Sequence, residues 1–194
     1  PHLTSSPRRV DPFEAAREAR DAGMRAIVLL DVFLNSSGVA WLVSRHVPGI
    51  EVRGGISLNT CYGGLNPRAV KTALQYGNGA AFVSMGTHST HYLASHEGRM
   101  VDGQPVPFAD LYPDFRDQEL ARAVSIPLKD PVGRQLDQIL RLIAQHPPAF
   151  LMTGHVSGPE ALRLVELAGR YGIGKVLISS LAVDQLSRDQ QAAA

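Results

Sequence analysis

The sequence predicts an α/β fold, and within that class a distorted TIM-like (β/α) barrel. Three observations favour this prediction. First, short apolar runs without helical period alternate with amphipathic segments. Second, those amphipathic segments carry helix-start and helix-stop residues. Third, no Gly-x-Gly-x-x-Gly follows an early strand, which weakens the dinucleotide-binding version of the alternative fold, a doubly wound parallel sheet. The barrel therefore remains the preferred arrangement.

The first predicted helix and strand show the pattern clearly. Asp11 can cap a helix, Pro12 suits the first helical position, and Glu14 lies where a capping box requires it. Gly23 ends this helix. The following run, residues 24–30, is almost continuously apolar, which predicts a strand buried on both faces, as in parallel sheets.

The same alternation continues along the chain. Further helices are predicted at about 37–46, 66–77, 130–145 and 157–172. Further strands are predicted at about 50–58, 80–85, 122–126, 149–152 and 175–179. Strands that alternate with helices in this way predict a parallel sheet.

One interval, residues 86–120, interrupts the alternation. It is polar and rich in His, Gly, Pro and Asp, and Asp102-Gly103 within it predicts a small hairpin. In a barrel this inserted loop would leave the carboxyl end of the strand at 80–85, where active sites are built. We expect residues 1–194 to form a single domain with this insertion. Because the chain starts at Pro1 without a methionine, we also expect it to be a fragment of a longer protein.

The composition excludes several classes of function. Hydrophobic residues make up 44% and charged residues 19% of the chain, and the net charge is +1 with scattered basic residues. This is a globular composition without a basic face for nucleic acid. No apolar run approaches the roughly 20 residues that span a bilayer. A single cysteine excludes an internal disulfide framework. We expect a cytoplasmic protein that acts on a small molecule, with a homo-oligomer as the default assembly.

The candidate site residues follow predicted strands. His88 and His91 lie in the loop after the strand at 80–85, and His155 follows the strand at 149–152. Neutral imidazole is a common zinc ligand, although a single His of this kind is as often a structural hydrogen-bonding residue. Asp31 follows the first strand, as a metal ligand or general base, or alternatively as a cap for the helix that begins near Asn35. We take Asp31 and His88 as the catalytic candidates.

Several segments resemble the DUF6282 family, a group of uncharacterised amidohydrolase-like proteins of the metal-dependent hydrolase superfamily. The similar segments are residues 11–16, 22–28, 47–52, 54–59, 63–70 and 153–157. The block Gly-Gly-Leu-Asn-Pro at 63–67 is the most specific of them.

This resemblance implies a distorted TIM barrel with one or two divalent metal ions, zinc first and manganese or iron as alternatives. It implies that His91 and His155 are metal ligands, and that metal-activated water attacks a small amide, ester, lactone or ring substrate. The chain departs from the family pattern at 30–33 and 179–181, where Leu-Asp-Val-Phe and Ser-Ser-Leu replace histidine-containing stretches. The family's His-x-His strand would precede Pro1. Two alternatives therefore stay open: a decarboxylase or lyase on the same fold, and a non-catalytic homologue that serves as a partner subunit.

Overall fold

The computed structural model describes residues 10–96, 98–107, 110 and 116–193. The strands, in chain order, are β1 (Ala26–Val28), β2 (Glu51–Ser57), β3 (Ala80–Ser84), β4 (Gly98–Val101), β5 (Gln104–Pro107), β6 (Phe150–Met152) and β7 (Val176–Leu177). The helices are α1 (Pro12–Asp21), α2 (Ser37–His46), α3 (Pro67–Gln75), α4 (His91–His96), α5 (Arg116–Arg122), α6 (Arg134–Ala144), α7 (Gly158–Tyr171), α8 (Ser180–Val183) and α9 (Arg188–Ala193). A short 3-10 helix spans Thr60–Tyr62.

Five strands form one parallel sheet in the order β1-β2-β3-β6-β7, which is also their order along the chain. The sheet curls into a half-barrel. Its strand order does not reverse at any point, whereas a doubly wound sheet reverses its strand order at a switch point. The predicted α/β class with a parallel sheet is therefore confirmed, and in the described part of the chain this sheet forms a half-barrel rather than a complete barrel.

The two faces of the curled sheet carry different side chains. Ile56, Val83 and Leu151 point toward the helices, in a core that includes the buried faces of α3, α6 and α7. On the other face, which we call the inner face, the rings of Phe82 and Phe150 lie 6.1 Å apart. Gly55 belongs to this face, because a Cβ there would lie 2.4 Å from the ring of Phe82.

The predicted hairpin is confirmed. Strands β4 and β5 pair in antiparallel fashion, with Val101 opposite Gln104. Asp102 and Gly103 between them have φ values of 50° and 78°. Two consecutive residues with positive φ are typical of the tight turns that match the twist of a hairpin. The interval 86–120 thus contains this hairpin, α4 and the start of α5 rather than one continuous loop, and residues 97, 108, 109 and 111–115 of it lie outside the described residues.

Three sequence-based expectations were wrong in detail. The first strand is not buried on both faces: Val28 is 45% exposed, because β1 lies at the edge of the half-barrel. The strand expected at 122–126 is a single bridge between Thr90 and Val124. The helix expected from residue 130 begins at Arg134, because the carboxylate of Asp130 binds the guanidinium of Arg163 at 2.7 Å instead of capping a helix.

Within the described part of the chain, no helix is long and apolar enough to cross a membrane.

Candidate functional site

The loops that follow β1, β2 and β3 meet at the carboxyl edge of the sheet, and Asn59 joins them. Its Nδ2 donates to the carbonyl oxygen of Val32 at 2.6 Å and to Oγ1 of Thr87 at 2.9 Å. Its Oδ1 accepts from the backbone N–H of Thr87 at 2.8 Å and of Ser89 at 3.3 Å. Asn59 is only 1% exposed, so these bonds are shielded from water and hold the three loops in one arrangement.

The loop after β6 is attached to the same edge. The backbone N–H of His155 donates to the carbonyl oxygen of Gly86 at 3.0 Å, and Oγ1 of Thr90 donates to the carbonyl oxygen of His155 at 2.6 Å. Gly154 has φ +66°, and a Cβ there would lie 1.9 Å from the Gly86 oxygen. Only glycine therefore allows this close approach. The loop after β7 joins through Ser179, whose N–H donates to Oγ1 of Thr153 at 3.1 Å.

Asp31 is fully buried at the end of β1. Its Oδ1 accepts from the backbone N–H of Phe33 at 2.7 Å and of Leu34 at 3.0 Å. The carboxylate thus stabilises the turn that follows β1, as Asp side chains commonly do. It does not cap α2, whose N-cap residue is Ser36. The alternative of a cap for the helix that begins near Asn35 was therefore wrong, because the Asp31 carboxylate bonds to a turn that precedes this helix.

His88 and His91 lie in the segment after β3. The half-buried ring of His88 stacks on the ring of Phe33, with centroids 5.7 Å apart and an interplanar angle of 25°. This contact places His88 beside the turn that Asp31 holds. His91 is exposed and is the first residue of α4, where its backbone N–H donates to the carbonyl oxygen of Val124 at 2.9 Å.

His155 has the features expected of a ligand or base. Its Nδ1 is buried and has no hydrogen-bond partner among the residues that the structure describes. Burial lowers the pKa of its imidazole from the usual 6.5. A half-buried imidazole with a lowered pKa is neutral at pH 7, so its lone pair is available for a metal ion or for a proton.

A metal ion needs more than one such group. In the ranges listed above, no three His, Cys, Asp or Glu side chains lie close enough together to hold a metal ion. The orphaned Nδ1 of His155 fits a ligand role, whereas one oxygen of Asp31 already accepts two backbone hydrogen bonds. The described residues therefore do not bring a full set of metal ligands together.

Asn59, Thr87 and Thr90 hold this edge together, and none of them was among the site residues predicted from the sequence. A signal for Asn59 was present, because it is a polar residue directly after an apolar strand, as Asp31 is. Thr87 and Thr90 gave no comparable signal, since their partners are distant in sequence.

The model of a family of unknown function, DUF6282, matches residues 1–194. No curated protein and no solved structure matches the chain significantly.

Proposed function

This chain belongs to the DUF6282 family of unknown function, and from that premise we propose that it is a metal-dependent hydrolase of the amidohydrolase type. Its substrate would be a small organic molecule with an amide, ester, lactone or ring C–N or C–O bond. A TIM-like barrel is the closed form of the half-barrel, and we include it in the proposal.

The observation that supports this proposal most is the buried Nδ1 of His155, which has no hydrogen-bond partner among the described residues. A buried imidazole nitrogen without a partner costs free energy unless a ligand, a water or a proton satisfies it. His155 also lies directly after a strand of a parallel half-barrel, at the edge where barrel enzymes place their catalytic groups.

Each candidate side chain at this edge would have a separate role in the reaction. A divalent ion, when bound, lowers the pKa of water and polarises a carbonyl group. His155 would hold it through Nδ1, and the backbone bonds of His155 to Gly86 and Thr90 would fix the orientation of the ring. His91 is the second candidate ligand. Asp31 would position the turn that carries Phe33, and His88 is the candidate for proton transfer.

A second candidate function is a non-catalytic homologue that acts as a partner subunit. The observation that favours it is the absence of a three-ligand group among the described residues. A barrel fold does not by itself fix an activity, so loss of metal binding is compatible with the fold.

Metal content separates these two functions. We expect purified protein to contain about one equivalent of zinc, manganese or iron by elemental analysis, as one mononuclear site requires. His155→Ala should lower the affinity for zinc by more than about 100-fold, because a lost direct ligand exceeds the 10–100-fold effect of an outer-sphere change.

His146→Ala is the matched control. His146 precedes β6 whereas His155 follows it, so this half-buried histidine lies at the opposite edge of the parallel sheet from the proposed site. Its variant should bind zinc as the unaltered protein does. If the unaltered protein binds no divalent metal after zinc titration, the hydrolase proposal is wrong and the partner-subunit function is favoured.

A further inference from the structure

We propose that the hydroxyl groups of Ser57 and Ser84 form a binding subsite for an oxygen atom of a small carbonyl-containing ligand on the inner face of the half-barrel. The chemical class is an amide, ester or carboxylate attached to an apolar group. Only the identification of this ligand as the substrate rests on the proposed function.

The two serines are adjacent. Ser57 is the last residue of β2 and Ser84 the last residue of β3, and they are direct register partners. Neighbouring strands lie about 4.8 Å apart, so the two hydroxyls are close enough to bind one oxygen atom together. Each residue is 1% exposed, and neither Oγ has a hydrogen-bond partner within the described parts of the chain.

Both serines belong to the inner face. Gly55 and Phe82, which are also register partners, face each other there, and side chains alternate between the two faces of a strand. Ser57 and Ser84 are two residues further along β2 and β3, so they lie on the same face and nearer the carboxyl edge. Two unsatisfied hydroxyls at this edge call for a partner, because buried polar groups are normally hydrogen-bonded.

The rest of this row supplies an apolar surface. The register continues from Ser84 to Met152 on β6 and from Met152 to Leu177 on β7. Met152 is half-buried, and Leu177 is 45% exposed. The row therefore runs from two buried hydroxyl donors to an open apolar wall. This order fits a ligand whose oxygen binds the serines and whose apolar body covers Met152 and Leu177.

The hydroxyl groups are enclosed, so binding requires the loops next to them to open. The loops that follow β2 and β3, which Asn59 joins, are the segments next to the two serines. Each hydroxyl can donate one hydrogen bond, so the pair can supply two donors to one carbonyl or carboxylate oxygen.

Binding of benzoate and benzamide to the 194-residue chain tests this subsite, with toluene as the probe that lacks oxygen. Titrations followed by ligand-observed NMR are run with a chelator present, so that a bound metal plays no part. We expect Ser57→Ala and Ser84→Ala each to weaken benzoate binding roughly tenfold, the effect of one hydrogen bond to a charged group. Toluene binding should not change.

Ser37→Ala is the matched control. Ser37 is also fully buried with an unpartnered hydroxyl among the described residues, but it lies on α2 rather than on the inner face. Benzoate should bind this variant as tightly as the unaltered protein. The thermal midpoint of all three variants should stay the same or rise, because each loses a buried hydroxyl that no protein group satisfies.

Three outcomes would overturn the proposal of this subsite. The first is that the unaltered protein binds neither benzoate nor benzamide. The second is that the Ser57→Ala/Ser84→Ala double variant binds them as tightly as the unaltered protein, and the third is that this double variant loses more thermal stability than Ser37→Ala does. Metal content is measured separately. A protein without metal would therefore refute the hydrolase proposal and leave this test unaffected.

Discussion

The carboxylate of Glu160 connects two parts of the chain, and its removal gives a prediction that can be worked out from the structure. Oε1 accepts from the backbone N–H of Ile126 at 2.7 Å, and Oε2 accepts from the N–H and the hydroxyl of Ser157 at 2.9 and 2.6 Å. Glu160 is only 9% exposed, so water replaces these bonds poorly. Glu160→Ala should therefore release the segment around Ile126 and loosen the start of α7.

The magnitude has two parts. A buried N–H without a partner at Ile126 costs about 1–3 kcal/mol, and loss of capping bonds at the start of a helix costs about 1 kcal/mol. Together we expect a decrease of about 2–4 kcal/mol in the free energy of unfolding. For a domain of this size, each kcal/mol lowers the thermal midpoint by about 2–4 °C.

The assay is urea unfolding followed by circular dichroism, with Glu14→Ala as the control. Glu14 makes the same kind of capping contact, accepting from the N–H of Asp11 at 2.9 Å, but it is exposed and bonds no distant segment. Its variant should lose only about 0.5–1 kcal/mol. Equal losses in the two variants would refute the argument, because the bond to Ile126 would then contribute nothing.

Three further predictions concern the carboxyl edge of the sheet. Burial lowers the pKa of His155 below 6.5, so the unfolded chain takes up a proton at higher pH than the folded protein does. The contribution of the neutral His155 imidazole to the free energy of unfolding should be fully present above about pH 6.5 and should decrease as the pH falls below it. This pH dependence of the urea midpoint, measured between pH 5 and 8, should be absent in His155→Gln. Gly154→Ala should lower the free energy of unfolding by more than about 3 kcal/mol, because the added Cβ would meet a backbone oxygen. The control is Gly172→Ala, where φ is +76° and the surrounding space is open, and this variant should lose only about 1–2 kcal/mol. Similar losses in the two variants would contradict this reasoning. Asn59→Ala leaves the buried N–H of Thr87 unsatisfied, so amide hydrogen exchange there should accelerate by about tenfold or more, and an unchanged rate would show that Asn59 does not hold the loop.

The features that could be predicted from sequence depend on local interactions. The helix starts at Asp11 and Ser157 follow from capping residues within one turn, and the Asp102-Gly103 hairpin follows from a two-residue turn. The exposure of Val28 could not be predicted in this way, because it depends on which strand lies at the edge of the sheet.

The same distinction between local and distant interactions applies to the candidate site. The positions of Asp31 and His155 after strands could be predicted, because the apolar runs end directly before them. The engagement of the Asp31 carboxylate with two backbone N–H groups could not, since a catalytic Asp and a turn-forming Asp look alike in sequence. The role of Asn59 depends on partners about thirty residues away, which only the folded sheet brings together.

The attachment of the edge loops to one another has a consequence for how this protein can be altered. Asn59 and the backbone bonds of Gly86 hold the loops together, whereas the side chains of Phe33 and His91 are exposed. Substitutions at these two exposed positions change the chemistry offered to a ligand without removing the bonds that fix the backbone. A library that varies those two positions and keeps Asn59 unchanged should therefore yield folded variants with different ligand preferences.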